Sequence, residues 1–329
     1  MPDPGGMDPH LLRTFVTVVR LRSFSEAAHE LGYTQSAVSQ QIAALEGDLR
    51  TPLLTRRPVA PTRAGSRLLD HAGPLLLRLD AARADIARLT AAPHGRVTLA
   101  ASPLATGPDV LAALPPTGVT LRVLPREEIP AAVATGACDL GLVDGVAAPS
   151  DPLRLPDVAP LTVAGAGEAP LAVLLPADHP FARRTEVRLE DLVDARWLDA
   201  PGVGLPLDAL WSAARAGSGR LNASLRYEGT DVRTLCTLAA AGHGLVLLPE
   251  RVAREYAGAG GTGGEVPDAL GGTAGARGGT GGGVAVRLAS PRLVHRTELL
   301  SSGTLDGAAG ALARRLTGRQ DGTHDTSDA

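Results

Sequence analysis

Apolar residues in the first fifty positions recur at helical spacing. Leu12, Phe15, Val16 and Val19 mark residues 8 to 21 as an amphipathic helix. Ser23-Phe24-Ser25-Glu26 fits a capping box, in which the Ser23 hydroxyl accepts from the Glu26 N–H and the Glu26 carboxylate reaches back. A second helix runs through Ala27, Ala28 and Leu31, with Gly32 placed as its C-cap. Thr34 can cap a third helix, whose inward ridge Val38, Ile42, Leu45 and Leu49 is spaced 4, 3 and 4. The opposite face of its first turns carries Gln35, Ser36, Ser39 and Gln40. Two short helices, a tight glycine-containing turn and a polar leading edge make a helix-turn-helix. Such a third helix fits the major groove, where Gln can pair bidentately with adenine and Ser can approach any base.

From position 62 to 92 the pattern lengthens. Leu68, Ala72, Leu75, Leu79, Ala82, Ile86 and Leu89 are spaced 4, 3, 4, 3, 4 and 3, the heptad series that buries a seam against another helix. A helix packed only on its own domain more often shows a wider apolar face, so this seam reads as a dimerisation surface. Gly73-Pro74 interrupts it and predicts a kink near Ala72, since an interior proline loses a backbone bond. Two recognition helices related by a two-fold would lie about 34–36 Å apart, one turn of DNA.

Beyond a Pro93-His94-Gly95 hinge the period alternates between strand and helix. Strands are expected at 96–101, 119–123 and 139–143, with helices at 104–114 and 127–135. A second run places strands at 171–175, near Trp197, at 221–227 and at 245–248, with helices at 189–193, 207–216 and 232–241. Residues 284–288 return as a strand and 298–316 as a closing helix. This β-α-β-α-β order implies a parallel sheet covered by helices, and two such lobes enclose a cleft suited to a small ligand. The expected architecture is an N-terminal all-α winged helix-turn-helix, a long linker helix and a C-terminal α/β two-lobed domain.

At 329 residues the chain holds about two domains, and 44% hydrophobic against 20% charged residues supports a buried core. All 32 basic residues are Arg, against 35 acidic ones, for a net charge of −3. With a pI near 6.2 the protein is not uniformly basic, which leaves room for a local cationic element. Arg50, Arg56, Arg57, Arg63 and Arg67 supply it, with no acid between Asp48 and Asp70. These arginines would neutralise phosphates; the alternative is a packed three-helix start with a solvated arginine face. Two cysteines, Cys138 and Cys236, make neither a disulfide framework nor a zinc site. The start has no signal-peptide pattern, whether translation begins at Met1 or Met7. The stretch 161–175 carries Glu168 and Pro170, so no apolar run of about 18 residues predicts a membrane span. A cytoplasmic protein is expected.

The segments Ser23 to Leu31 and Thr34 to Glu46, continuing through Pro61-Thr62-Arg63-Ala64-Gly65, resemble the winged helix-turn-helix of LysR-type transcriptional regulators. By that resemblance Gln35, Ser36 and Ser39 face bases and Arg56 is the wing arginine. Ser23, Thr34, Gln40, Arg57 and Arg63 complete the expected DNA-contacting set. Ser36 stands where the family usually has Pro, Arg50 where it has Gly, and Leu54 where it has Phe. The heptad helix is similar to the family's linker helix. Four segments resemble its effector domain, which has the two-lobed architecture of periplasmic binding proteins: 95–102, 136–142, 176–180 and 240–249. The resemblance implies a DNA-binding domain at 7–65, a linker at 66–92, lobe I at 95–165 and 284–316, and lobe II at 166–256. A flexible insertion at 257–283 and a polar tail at 317–329 complete the organisation. Residues 258–283 hold 13 glycines in 26 positions but lack the Lys-Ser/Thr ending of a phosphate loop.

Ser102 ends the first strand of the sensor, where its hydroxyl and nearby N–H groups either hold an anion, commonly a carboxylate, or cap the next helix. Leu104, Thr106 and Thr230 are placed near the cleft by resemblance. His179 and His243 read as loop residues. No nucleophile elbow, metal-spaced cluster or dinucleotide fingerprint is present, so no enzyme, metal or cofactor is expected. The leading expectation is an oligomeric promoter-DNA-binding regulator, a dimer or tetramer, controlled by a small-molecule effector between the lobes. RNA polymerase is its further candidate partner. The rivals are a two-lobed solute-binding protein and a DNA-binding assembly protein without a sensed ligand.

Overall fold

The computed structural model describes residues 7–90, 95–149, 151–203, 207, 210, 222–257 and 282–318. They fall into two compact units that divide between Leu89 and Thr90.

The first unit contains α1 (Pro9–Leu21), α2 (Phe24–Leu31), α3 (Gln35–Asp48), a hairpin of β1 (Leu54–Arg56) and β2 (Val59–Pro61), and α4 (Arg63–Thr90). Each start signal works locally. The Asp8 carboxylate accepts from the His10 N–H at 2.8 Å, Ser23 accepts from Glu26 N–H at 3.2 Å, and Thr34 accepts from Ala37 N–H at 3.2 Å. Gly32 ends α2 in the left-handed region at φ 71°, and its N–H closes on the carbonyls of Ala28 and His29. Phe15, Val18, Ala27, Ala28, Val38, Ile42, Leu45, Leu53 and Leu54 form one core. Leu49, expected on the inward ridge, is exposed instead. α3 stops at Asp48, and the chain turns left-handed at Arg50 (φ 51°), so Leu49 falls beyond the stripe.

A carboxylate fixes the wing. Glu46 on α3 accepts from the N–H groups of Leu53 (2.7 Å) and Leu54 (3.2 Å), tying the start of β1 to α3. Gly65 in the first turn of α4 lies so close to this segment that a Cβ would sit 2.1 Å from the Leu53 carbonyl oxygen.

α4 is a single helix from Arg63 to Thr90 with Pro74 inside it, close to where the kink is expected. Pro74 and Asp70, whose carbonyl loses its partner, both lie on the exposed side of the helix. The two faces of this helix have separate tasks. Leu68, Ala72 and Leu76 pack on Leu12 and Val16 of α1, and Arg13 donates to both oxygens of Asp80 at 2.9 and 3.1 Å. Leu68 and Ala72, expected in the intermolecular seam, are therefore used inside the subunit. Leu75, Leu79, Ala82 and Ile86 remain exposed, at 47%, 38% and 66% for the three large side chains. The side chain of Leu89 lies outside what is described.

The second unit begins with β3 (Val97–Ala101), α5 (Pro108–Ala113), β4 (Val119–Val123), α6 (Ile129–Ala134) and β5 (Leu140–Ala147). The expected parallel alternation is realised here, with β4 and β5 flanking β3. The chain continues through β6 (Thr162–Pro176), β7 (Glu186–Arg188), β8 (Arg196–Asp199), β9 (Asn222–Arg226) and α7 (Val232–Ala240). β10 (Val246–Pro249), α8 (Glu250–Ala257), β11 (Gly283–Ser290), β12 (Val294–Ser301) and α9 (Gly307–Thr317) close it.

The sheet is mixed rather than parallel throughout. Its order is β4-β3-β5-β12-β6-β11-β7, with β10 also on β6, while β8 and β9 pair separately. β6 is the shared element: Thr162–Pro170 pairs antiparallel with β12, then Leu171–Pro176 pairs with β10 and β11. The strand expected at 171–175 is only its second half. The helix expected from Glu298 is corrected to start at Gly307. Residues up to Ser301 belong to β12, buried on both faces, so Leu299 and Leu300 read as a continuous apolar run instead of an alternation. Gly303 and Gly307, at φ 72° and 58°, separate strand from helix. Most of the helix expected at 207–216, Pro93 and His94 of the hinge, residues 258–281 of the insertion and 319–329 of the tail lie outside the described residues.

Gly65→Ala should lower stability by roughly 1–3 kcal/mol, because the added methyl meets backbone carbonyl, not a movable side chain. Chemical denaturation of the full chain measures it, and an unchanged midpoint would contradict the close approach.

Candidate nucleic-acid interface and sensor site

Burial of Val38, Ile42 and Leu45 turns the other side of α3 outward. Gln35, Ser36 and Gln40 are exposed and Ser39 is half-buried. Ser36, in place of proline, keeps a hydroxyl 3.0 Å from the Thr34 hydroxyl at the helix start. The wing hairpin places Arg56 beside this face: its guanidinium donates to the Ser39 hydroxyl at 3.4 Å and lies 5.5 Å from the centre of the Phe24 ring. Arg57, at the hairpin turn, and Arg63, opening α4, are exposed. Arg50 is exposed as well, with no acidic residue between Asp48 and Asp70. Ser23, Thr34, Gln35, Ser36, Ser39, Gln40, Arg56 and Arg57 thus lie on α3, the wing or the caps of α2 and α3, and Arg63 opens α4. Phe24 was not singled out from sequence, and its only local signal is its place beside the Ser23 cap.

The second unit departs from the simple picture of a cleft floor. Ser102 is fully buried and its hydroxyl makes no helix cap. It donates to the Asp144 carboxylate and lies 3.3 Å from the Leu142 carbonyl. The other Asp144 oxygen pairs with His295 Nε2 at 2.7 Å. Ser102, Asp144 and His295 form a continuous buried polar chain joining the end of β3, β5 and β12. Sequence spacing could not have found it, because 151 positions separate His295 from Asp144.

The 3-10 turn Pro103–Ala105 follows Ser102. Its Leu104 is buried in an apolar cluster with Ala172, Leu174, Leu198, Ala200 and Val203, to which α7 and β10 also contribute. Thr106 donates to the Pro103 carbonyl at 2.6 Å. Thr230 is exposed. The 3-10 turn Arg126–Glu128, which follows β4, lies against Pro201–Val203, which follows β8, so two strand groups, that of β3, β4 and β5 and that of β8, β9 and β10, meet here. An open groove lies elsewhere, lined by Pro170, Leu171, Glu186, Arg287, Arg292 and Leu293; none of the four candidate effector residues lines it.

The cysteines occupy different clusters, Cys138 with Ile129 and Val133 and Cys236 with Leu235 and Ala239. Burial raises both thiols above their ordinary range. For Cys138 the neighbouring Arg122 opposes this; for Cys236, Asp231 and Glu255 add to it, and the thiol reaches about 12. Hydrogen bonds from the Thr234 hydroxyl and N–H hold Asp231 below the usual carboxylate range, as befits the N-cap of α7. No cluster of three or more His, Cys, Asp or Glu able to hold a metal occurs among the described residues. No helix among them is long and apolar enough to cross a membrane.

Residues 9–66 match the family described as bacterial regulatory helix-turn-helix protein, lysR family, and residues 90–270 match the LysR substrate binding domain. The HTH-type transcriptional regulator PgrR of Escherichia coli is 30% identical over 248 residues, covering 72% of this chain and 79% of that protein. The nitrogen assimilation regulatory protein nac of Klebsiella aerogenes is 30% identical over 273 residues, covering 77% and 82%. Among solved structures, an OxyR C206 mutant from Corynebacterium glutamicum aligns with a TM-score of 0.49 at 22% identity, covering 94% of this chain and 89% of that one.

Replacing His295 with Leu leaves the buried Asp144 carboxylate without one of its two side-chain partners. Leaving a buried hydrogen-bonding group short of its partner costs about 1–3 kcal/mol. Denaturation of His295→Leu should register a loss of that order, whereas wild-type stability would mean the buried chain carries no weight.

Proposed function

This chain belongs to the LysR family of bacterial helix-turn-helix regulators, and from that premise we propose that it works as a self-associated promoter-binding switch. The exposed face of α3 reads bases through Gln35, Ser36, Ser39 and Gln40. Arg56, Arg57 and Arg63 neutralise phosphates beside it, with Ser23 and Thr34 at the two helix starts contacting the backbone. The observation that carries this reading is the joint placement of a polar helix face and a wing arginine that reaches it at Ser39. A chain of net charge −3 can grip DNA this way because the cation density is local.

Self-association runs through Leu75, Leu79, Ala82 and Ile86, the apolar face of α4 left exposed in the isolated subunit, continued by Leu89 in the same heptad phase. A dimer supplies two recognition helices, and a tetramer four. The linker at 66–92, lobe I at 95–165 and 284–316, and lobe II at 166–256 follow from the same reading. The protein acts in the cytoplasm on double-stranded promoter DNA, with RNA polymerase as the further candidate partner that activation would require.

The effector is a small molecule bound where the two strand groups meet, near Ser102, Leu104, Thr106 and Thr230. A carboxylate there must draw the Ser102 O–H away from Asp144, so the metabolite panel should include cationic and neutral molecules beside carboxylates. Coupling to DNA then requires the effector to favour one arrangement, by typically 1–3 kcal/mol.

Two sets of variants test this. Ser39→Ala should relax sequence preference, while Arg56→Ala should weaken all duplexes about equally and flatten the dependence of affinity on salt by about one phosphate's worth. Fluorescence anisotropy on the intergenic duplex beside its own gene and on a scrambled duplex separates them; affinity unmoved by both substitutions would remove α3 from the groove. Leu79→Asp places a charge at a site already exposed in the subunit, so the fold should persist while sedimentation shows monomers. A persisting dimer would place the seam elsewhere.

A further inference from the structure

We propose that Phe24 is a positioning residue for DNA binding: its ring is the platform that holds the wing arginine Arg56 along the recognition helix. The inference rests on the reading that the Ser39–Arg56 face contacts DNA and names a residue outside that contact set.

Phe24 is the first residue of α2, directly after the Ser23 cap. It is half-buried, packed on the edge of the core formed by Phe15, Ala27, Ala28 and Val38. One side of the ring therefore closes the core and the rest is available to a neighbour. That neighbour is the Arg56 guanidinium, 5.5 Å from the ring centre, within the range where an aromatic quadrupole attracts a cation. The same guanidinium donates to Ser39 at 3.4 Å. No salt bridge to Arg56 is present among the described residues. Its two recorded partners are thus a ring and a hydroxyl, neither of which neutralises its charge.

The physical consequence is specific. An arginine on a hairpin tip loses considerable rotamer freedom when it docks on a phosphate or in a groove. Parking it on Phe24 restricts it beforehand while leaving the charge uncompensated and free to meet an anion. A carboxylate in place of Phe24 would order the arginine equally but cancel the field that attracts DNA. Phe24 also links three elements, α2, α3 and the wing, so that wing and recognition helix approach the duplex as one surface. Glu46 performs the companion task for the wing backbone.

The test is a double-substitution cycle on the full chain, using the intergenic duplex and a scrambled duplex as probes. Phe24→Leu keeps apolar volume and removes the ring face; Phe24→Tyr keeps it. Phe24→Leu should weaken both duplexes roughly two- to fivefold when Arg56 is present and have no added effect in the Arg56→Ala background, with Phe24→Tyr retaining wild-type affinity. An equal loss in both backgrounds would overturn the proposal, since Phe24 would then act through the core alone. So would no loss in either. If Arg56→Ala itself leaves affinity unchanged, the reading of the DNA-contacting face has failed instead. A measurement on the unsubstituted protein guards against a variant that does not fold: side-chain proton resonances of Arg56 should be shifted upfield by the ring current. Unshifted resonances would overturn the platform without any variant.

Discussion

The proposed DNA-contacting surface depends on how a single fourteen-residue helix is laid down. Only Val38, Ile42 and Leu45 of α3 are buried, and they close a small core with Phe15, Val18, Ala27 and Ala28. Three apolar side chains spaced 4 and 3 define one narrow stripe. Once it faces inward, the orientation of Gln35, Ser36 and Gln40 follows without any further interaction. The Thr34 cap fixes where the helix begins, and Glu46 fixes where the wing meets its far end. On the proposed reading, DNA recognition is thereby a by-product of core geometry, with the arginines arranged beside a surface already aimed.

Legibility along the chain follows the range of the signal. The caps at Ser23, Gly32 and Thr34 are local, because each side chain or glycine satisfies backbone groups within a few residues. They could be read directly. Leu49 could not be placed correctly, since the left-handed turn at Arg50 depends on a residue that does not favour that conformation by itself. In α4 the heptad spacing was visible, but periodicity does not say which partner each position meets. Leu68 and Ala72 share the phase of Leu75 and Leu79 yet pack on α1 of the same subunit.

The sensor was legible in its parallel opening and opaque in its shared strands. β3, β4 and β5 sit in a β-α-β-α-β order that sequence periodicity announces. β6 and β12 pair with each other across the middle of the sheet; burial on both faces erases the alternation at the end of β12, while Thr162–Pro170 of β6 is exposed or half-buried and offers no apolar alternation to read. Candidate effector residues suffered from the same limit. Ser102 was identifiable from its position at the end of a strand, but its partners Asp144 and His295 come from elsewhere in the sequence. Leu104 proved to be a plug in an apolar cluster, and only the assembled fold shows which cluster it fills.

The central claim is that the exposed face of α3 and its neighbouring wing grip duplex grooves in pairs. Hydroxyl-radical footprinting of the purified full chain on the intergenic DNA beside its own gene, at low ionic strength, with and without a metabolite extract, tests it most directly. Protected backbone should appear as half-sites on one face of the duplex, one helical turn or a whole multiple of it apart. Uniform cleavage across the fragment under both conditions would contradict the account.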